Sequence, residues 1–155
     1  MSFNVFVSHS MRPVDLPLLR GVVEHLSLYG ISYYLAERDW RFGESLPLKV
    51  ESAIRRADCV LAFLTKDGEA SAYVNQEVSL ALSAKKSIIP VSEKGADLSA
   101  FRAGMDYIEL DRDAPQDCAT KLTLRLNQLN ASRDVRSAMC WAVIATAGLM
   151  FLGRG

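Results

Sequence analysis

Cys59-Val60-Leu61-Ala62-Phe63-Leu64-Thr65 is the stretch that decides the fold. A strand apolar at successive positions has no side to give to water, so it belongs at the centre of a parallel sheet with helices over both faces. Upstream, Pro47 suits the first turn of a helix whose inward residues are Val50, Ala53, Ile54 and Ala57. Downstream, Asp67-Gly68 makes a turn, and Ser71 is a good N-cap for a helix running to about Lys85. Further out lie a strand at Ile31–Leu35, and a buried one at Phe3–Ser8. Between them is a helix with Leu16, Leu19, Val22, Val23 and Leu26 on one side, stopped by Gly30. Asp15 stands favourably near its N-terminus. Toward the C-terminus, strands are expected at Ser87–Val91 and Tyr107–Leu110, and Pro115 opens a last helix with Cys118, Leu122, Leu126 and Leu129 on one side. Strand and helix alternate five times with short connections, which demands an α/β fold with a five-stranded, mostly parallel sheet.

Composition narrows the chemistry. The 155 residues suit one domain that buries its core without disulfides or metal. Eighteen Lys and Arg balance eighteen Asp and Glu, and the basic residues form no run, so nothing draws nucleic acid. Cys59, Cys118 and Cys140 are odd in number and lack CxxC spacing, and His9 and His25 stand far apart. That argues for reduced thiols in a cytosolic protein and against a zinc site. Met1-Ser2-Phe3-Asn4 has neither a basic n-region nor a long apolar stretch and does not read as a signal peptide.

In open parallel sheets ligands bind beyond the carboxyl ends of the strands. This selects Ser8-His9-Ser10, Glu37 to Ser45, and Thr65 to Glu77. Glu77 lies roughly 60° around its helix from Val74, at about 100° per residue, on the rim of an apolar face formed by Val74, Val78, Ala81 and Leu82. A rim carboxylate is either a solvated helix glutamate or a partly desolvated group that can stabilise developing positive charge. His9 is either an acid–base group or a loop histidine that caps or stacks. Ser8 and Ser10 need a base beside them to act as nucleophiles, and no Gly-x-Ser-x-Gly elbow is present. Trp40 and Phe42 offer a stacking surface or merely pack their own loop. No GxGxxG follows a strand and no GxxxxGK[ST] occurs, which disfavours Rossmann and P-loop sites.

Taken together the segments resemble the TIR (Toll/interleukin-1 receptor) family. The resemblance is carried by Phe6-Val7-Ser8-His9-Ser10, by Gly30-Ile31, by the loop Asp39-Trp40-Arg41-Phe42-Gly43-Glu44-Ser45-Leu46, and by Ala53-Ile54-Arg55-Arg56-Ala57. It continues through Ser71-Ala72-Tyr73-Val74-Asn75-Gln76-Glu77 and Ile88-Ile89-Pro90, covering residues 3 to 91 well and to about 130 loosely. It implies a flavodoxin-like TIR fold over residues 1–130. In the microbial NAD-cleaving members the glutamate of the Ser-x-Trp-x-x-x-Glu motif is catalytic, which here is Glu77, with Tyr73 in place of the tryptophan. The resemblance further implies that His9 and Ser10 line the pocket floor, that Arg38 and Trp40 come from the loop, and that Ser71 and Tyr73 contact substrate. NAD⁺ is then the substrate, with no cofactor, and the products are nicotinamide with ADP-ribose or its cyclised form, in signalling or antiviral defence. The family's alternative is a non-catalytic adaptor that acts through TIR–TIR contacts at residues 39–46. A third reading is a nucleoside-processing enzyme of the deoxyribosyltransferase kind, which also uses a glutamate near a strand end.

Residues 130–136 read as a polar linker, the last six of them (131–136) following the domain directly. The uncharged run Ser137 to Gly153 reads as a membrane-spanning or oligomerising helix, and Arg133 and Arg136 ahead of it favour a cytoplasmic domain anchored to an inner membrane.

Overall fold

The structure, a computed structural model, describes residues 2–10, 12–35, 46–66, 72–96 and 105–152, and at 46, 47, 72, 73 and 135–152 the backbone alone. The elements in chain order are β1 (Phe3–Ser8), α1 (Leu16–Ser27), β2 (Ile31–Leu35), α2 (Leu46–Arg56), β3 (Cys59–Leu64), α3 (Ala72–Ser83), β4 (Ser87–Glu93), β5 (Ile108–Leu110) and α4 (Pro115–Leu152). The five strands form one sheet in the order β2-β1-β3-β4-β5, every pairing parallel. β3 takes the centre and is buried at every position, as its unbroken apolar run requires.

Side-chain alternation along the strands sorts the interior into two sides. Phe6 of β1 and Val60 of β3 pack with Val50, Ala53 and Ile54 of α2 and Ala81 of α3. Ala62 and Leu64 pack with Val74 and Val78 of α3. Even-numbered residues of β1 and β3 therefore face α2 and α3. Odd-numbered ones face the opposite side, where Phe63 and Thr65 meet Leu18 and Leu19 of α1. This division governs everything at the carboxyl edge.

The helix ends follow local chemistry. Beyond α1, Gly30 takes a φ of +73° that suits a residue without Cβ, and its N–H donates to the Ser27 carbonyl at 3.2 Å. α3 closes with Lys85 at a φ of 54°; Lys85 N–H reaches the Leu82 carbonyl at 3.0 Å and Lys86 N–H the Ala81 carbonyl at 2.9 Å. That paired pattern satisfies the last carbonyls of the helix.

The chain divides into two compact units, Met1–Leu122 and Thr123–Gly155. In the first, Cys118, Ala119 and Leu122 of α4 are buried. In the second, the backbone remains helical to Leu152, so residues 131–136 are helix and not the expected linker. No residue there is a helix breaker, and Arg133 and Asp134 pair at 3.6 Å. Among the described residues no helix is long and apolar enough to cross a membrane. The expected spanning segment, Ser137 to Gly153, has 17 residues, at the short end of the about 17 to 25 that cross a bilayer, and its side chains lie outside the described residues.

Candidate functional site

At the carboxyl edge the two sides of the sheet carry different chemistry. On the α3 side stands Glu77. Val74 and Val78, one turn apart, are buried and anchor α3 on Ala62 and Leu64. Glu77 lies beside them, half-buried, as the helical spacing predicts. Burial raises its pKa from 4.5 to about 7, and the Ser8 hydroxyl is the neighbour that opposes the rise. Ser8 ends β1 on the even-numbered side and is fully buried. Neither Ser8 Oγ nor Glu77 Oε2 has a hydrogen-bond partner among the described residues. Ser8 and Glu77 are thus buried polar neighbours on an otherwise apolar side of the sheet.

The opposite side holds a satisfied charge cluster. Arg112, just past β5, donates from Nη2 to Asp15 Oδ1 at 2.6 Å and from Nε to Glu93 Oε1 at 2.5 Å. Its Nη2 also reaches Glu93 Oε2 at 3.0 Å. Thr65 Oγ1 and Ser10 Oγ donate to Asp15 Oδ2 at 2.8 Å and 3.3 Å. The backbone N–H of Lys66 donates to Glu93 Oε2 at 2.9 Å. Burial works against ionised Asp15, but the Arg112 guanidinium and the Thr65 and Ser10 hydroxyls outweigh it and hold the carboxyl below its ordinary range. Arg112 does the same for Glu93, and both carboxylates push the arginine's pKa up. The cluster joins the ends of β1, β3, β4 and β5 through side chains.

His9 and Ser10 lie here. Both are buried, His9 Nδ1 is 2.7 Å from the Ser10 carbonyl oxygen, and together with Asp15 and Thr65 they line a small cleft against Leu18 and Leu19. The structure thus groups His9 and Ser10 with Asp15, and Glu77 with Ser8. Arg38, Trp40 and Ser71, with the rest of the 39–45 loop, lie outside the described residues, and of Tyr73 only the backbone is described, within α3. Among the described residues no group of His, Cys, Asp and Glu is placed to hold a metal ion. Burial pushes the Cys118 thiol up to about 12, which removes it as a nucleophile at neutral pH.

Sequence reasoning missed Glu93 and Arg112 and gave Asp15 only a role at a helix end. One signal was legible. Glu93 continues the inward alternation Ile89, Val91, and a charge on a buried register calls for a partner. The identity of that partner, at residue 112, was not.

Comparison with known proteins agrees with this fold. A family model for the TIR domain matches residues 5–123. No curated protein gives a significant match. The fold is similar to the TIR domain of the Toll-related receptor TRR-2 from Hydra magnipapillata, with TM-score 0.65 and 19% identity over 79% of this chain and 97% of that one. It is similar to a metazoan TIR-STING receptor from C. gigas in complex with 2′,3′-cGAMP, with TM-score 0.60 and 20% identity over 77% of this chain and 39% of that one. It also resembles the TIR domains of the activated Roq1 resistosome, which recognises the pathogen effector XopQ, with TM-score 0.54 and 18% identity over 87% of this chain and 78% of that one. The family model spans most of the residues, and the five-stranded parallel sheet has solved TIR domains among its structural neighbours; the chain belongs to the TIR domain family.

Proposed function

We propose that this TIR domain cleaves the nicotinamide–ribose bond of NAD⁺. The observation that carries the reading is the starved carboxylate of Glu77, half-buried at the carboxyl edge, with Oε2 unpartnered among the described residues and a pKa of about 7. When the C1′–N bond breaks, nicotinamide leaves as a neutral molecule with the bonding electrons, so no general acid is needed. The ribose left behind is an oxocarbenium-like cation. An ionised Glu77, poorly solvated, stabilises that cation more strongly than a solvated carboxylate would. Water then attacks C1′ and releases a proton, giving ADP-ribose, or an adenine nitrogen attacks and closes a ring.

Activity is best tested by nicotinamide release from NAD⁺ at high protein concentration, beside Glu77→Gln. The variant is expected to lose about 10³-fold or more. The parent rate is expected to rise with pH through about 7, because only ionised Glu77 serves the cation. Release by the variant at the parent rate, or a rate that falls as pH rises, would remove Glu77 from the chemistry. No release from the parent would return the chain to the scaffold reading.

The Roq1 neighbour is an assembly of TIR domains, and we assign self-association to this chain as well, through the 39–46 loop, in signalling or immunity. Specific activity is then expected to fall on dilution. A value that stays constant down to the monomer would sink this part of the reading.

A further inference from the structure

The two borders of the sheet are built differently. At one, β5 has only three residues, Ile108–Leu110, with the exposed Glu109 in its middle and Asp106 and Asp111 nearby. Shortness and charge guard a strand edge, because its free N–H and C=O groups otherwise template a further strand. At the other border, β2 reads Ile31-Ser32-Tyr33-Tyr34-Leu35, with no charge and no proline. Among the described residues β1 pairs with it on one side and no strand lies on the other. Just ahead of it, past the end of α1, Leu28 and Tyr29 are 79% and 55% exposed. An unguarded strand edge beside two exposed apolar side chains is a surface open to pairing.

We infer that two copies of the chain join through β2, the two strands running antiparallel about a two-fold axis at Tyr33. Such an axis lays a strand against itself, so one edge supplies both halves of the hydrogen-bond ladder and the two sheets continue as one. A second copy suits this edge because the strand brings no charge to the ladder, and the chain's formal net charge of zero sets up no general repulsion between copies. Five residues of ladder make a small contact, so the pairing is weak and depends on concentration. It goes beyond the 39–46 loop contact assigned above, and it stands whether or not the chain cleaves NAD⁺.

The test is sedimentation of the full chain over a concentration series, beside Ser32→Lys and Ser32→Glu. Ser32 is exposed, and its hydroxyl meets Ser2 Oγ at 2.7 Å on the surface, so either substitution leaves the core untouched. In the pair, the Ser32 positions of the two copies lie diagonally on one face, within reach of long side chains. Each variant alone is expected to raise the dissociation constant about fivefold, through like-charge repulsion. An equimolar mixture of the two is expected to bring it back to the parent's value or below. Glu109→Lys, at the guarded border, is expected to leave it unchanged. Association at the parent's strength in both Ser32 variants, or no recovery in the mixture, would overturn the inference and leave self-association to another surface. A shift in Glu109→Lys as large as that in Ser32→Lys would also overturn it. A parent that stays monomeric throughout would do the same, and would leave the edge to an extended peptide of another protein. Recovery in the mixture without nicotinamide release by the parent would keep the pairing and remove the enzyme reading.

Discussion

The two sides of the sheet's carboxyl edge handle buried carboxylates in opposite ways. On the α1 side, Asp15 and Glu93 are nearly inaccessible, yet each has several donors, and Arg112 answers both. Their pKa values are held down, and the charges stabilise the fold. On the α3 side, Glu77 has no cation beside it among the described residues and neighbours the Ser8 hydroxyl, and burial pushes its pKa up. The same residue type is structural where its donors are supplied and poised where they are withheld. The satisfied side ties together the strand ends that hold the poised side in place.

The comparison breaks most visibly at Arg112. Arg112→Ala leaves two buried carboxylates without their cation and is expected to cost about 3 kcal/mol in urea unfolding. That lies at the low end for a broken buried pair because 35% of the arginine side chain is exposed. A loss below about 1 kcal/mol would mean that the hydroxyls and amides suffice, and the contrast would dissolve.

Glu77 should respond with the opposite sign. Its folded pKa, about 7, lies above its ordinary 4.5, so its contribution to stability is full below 4.5 and is lost as pH rises through 7. At about 1.4 kcal/mol per pH unit, discounted for partial exposure, Glu77→Gln is expected to be about 2 kcal/mol more stable than the parent at pH 8. The gain should fade by pH 5. A variant less stable than the parent at pH 8 would show that the carboxylate has a favourable partner after all.

The smallest effect sharpens the satisfied side. Thr65→Val removes one of three donors to Asp15 and is expected to cost about 1 kcal/mol, since Ser10 and Arg112 remain. A loss as large as that of Arg112→Ala would make Thr65, and not the arginine, the centre of the cluster.

Much of this molecule is written locally. The run Cys59–Leu64 has no polar position, so only a central strand accommodates it, and the helix faces Val50-Ala53-Ile54 and Val74-Val78 follow from the 3.6-residue period. Glu77's place on a rim follows from the same period. The expected linker at 131–136 was misjudged because polar residues without Gly or Pro serve equally well on an exposed helix. His9 and Ser10 follow Ser8 directly in sequence but lie past the end of β1, where the chain has left the strand's alternation, and both line the cleft with Asp15 and Thr65. Sequence alone therefore determined the order of strands and helices along the chain and the buried faces of the helices. Tertiary structure decided that Arg112 closes on Asp15, 97 residues away, and that Glu77 is buried beside Ser8. Periodicity is a property of a few consecutive residues, whereas desolvation and pairing depend on which distant residues the sheet brings to the same edge.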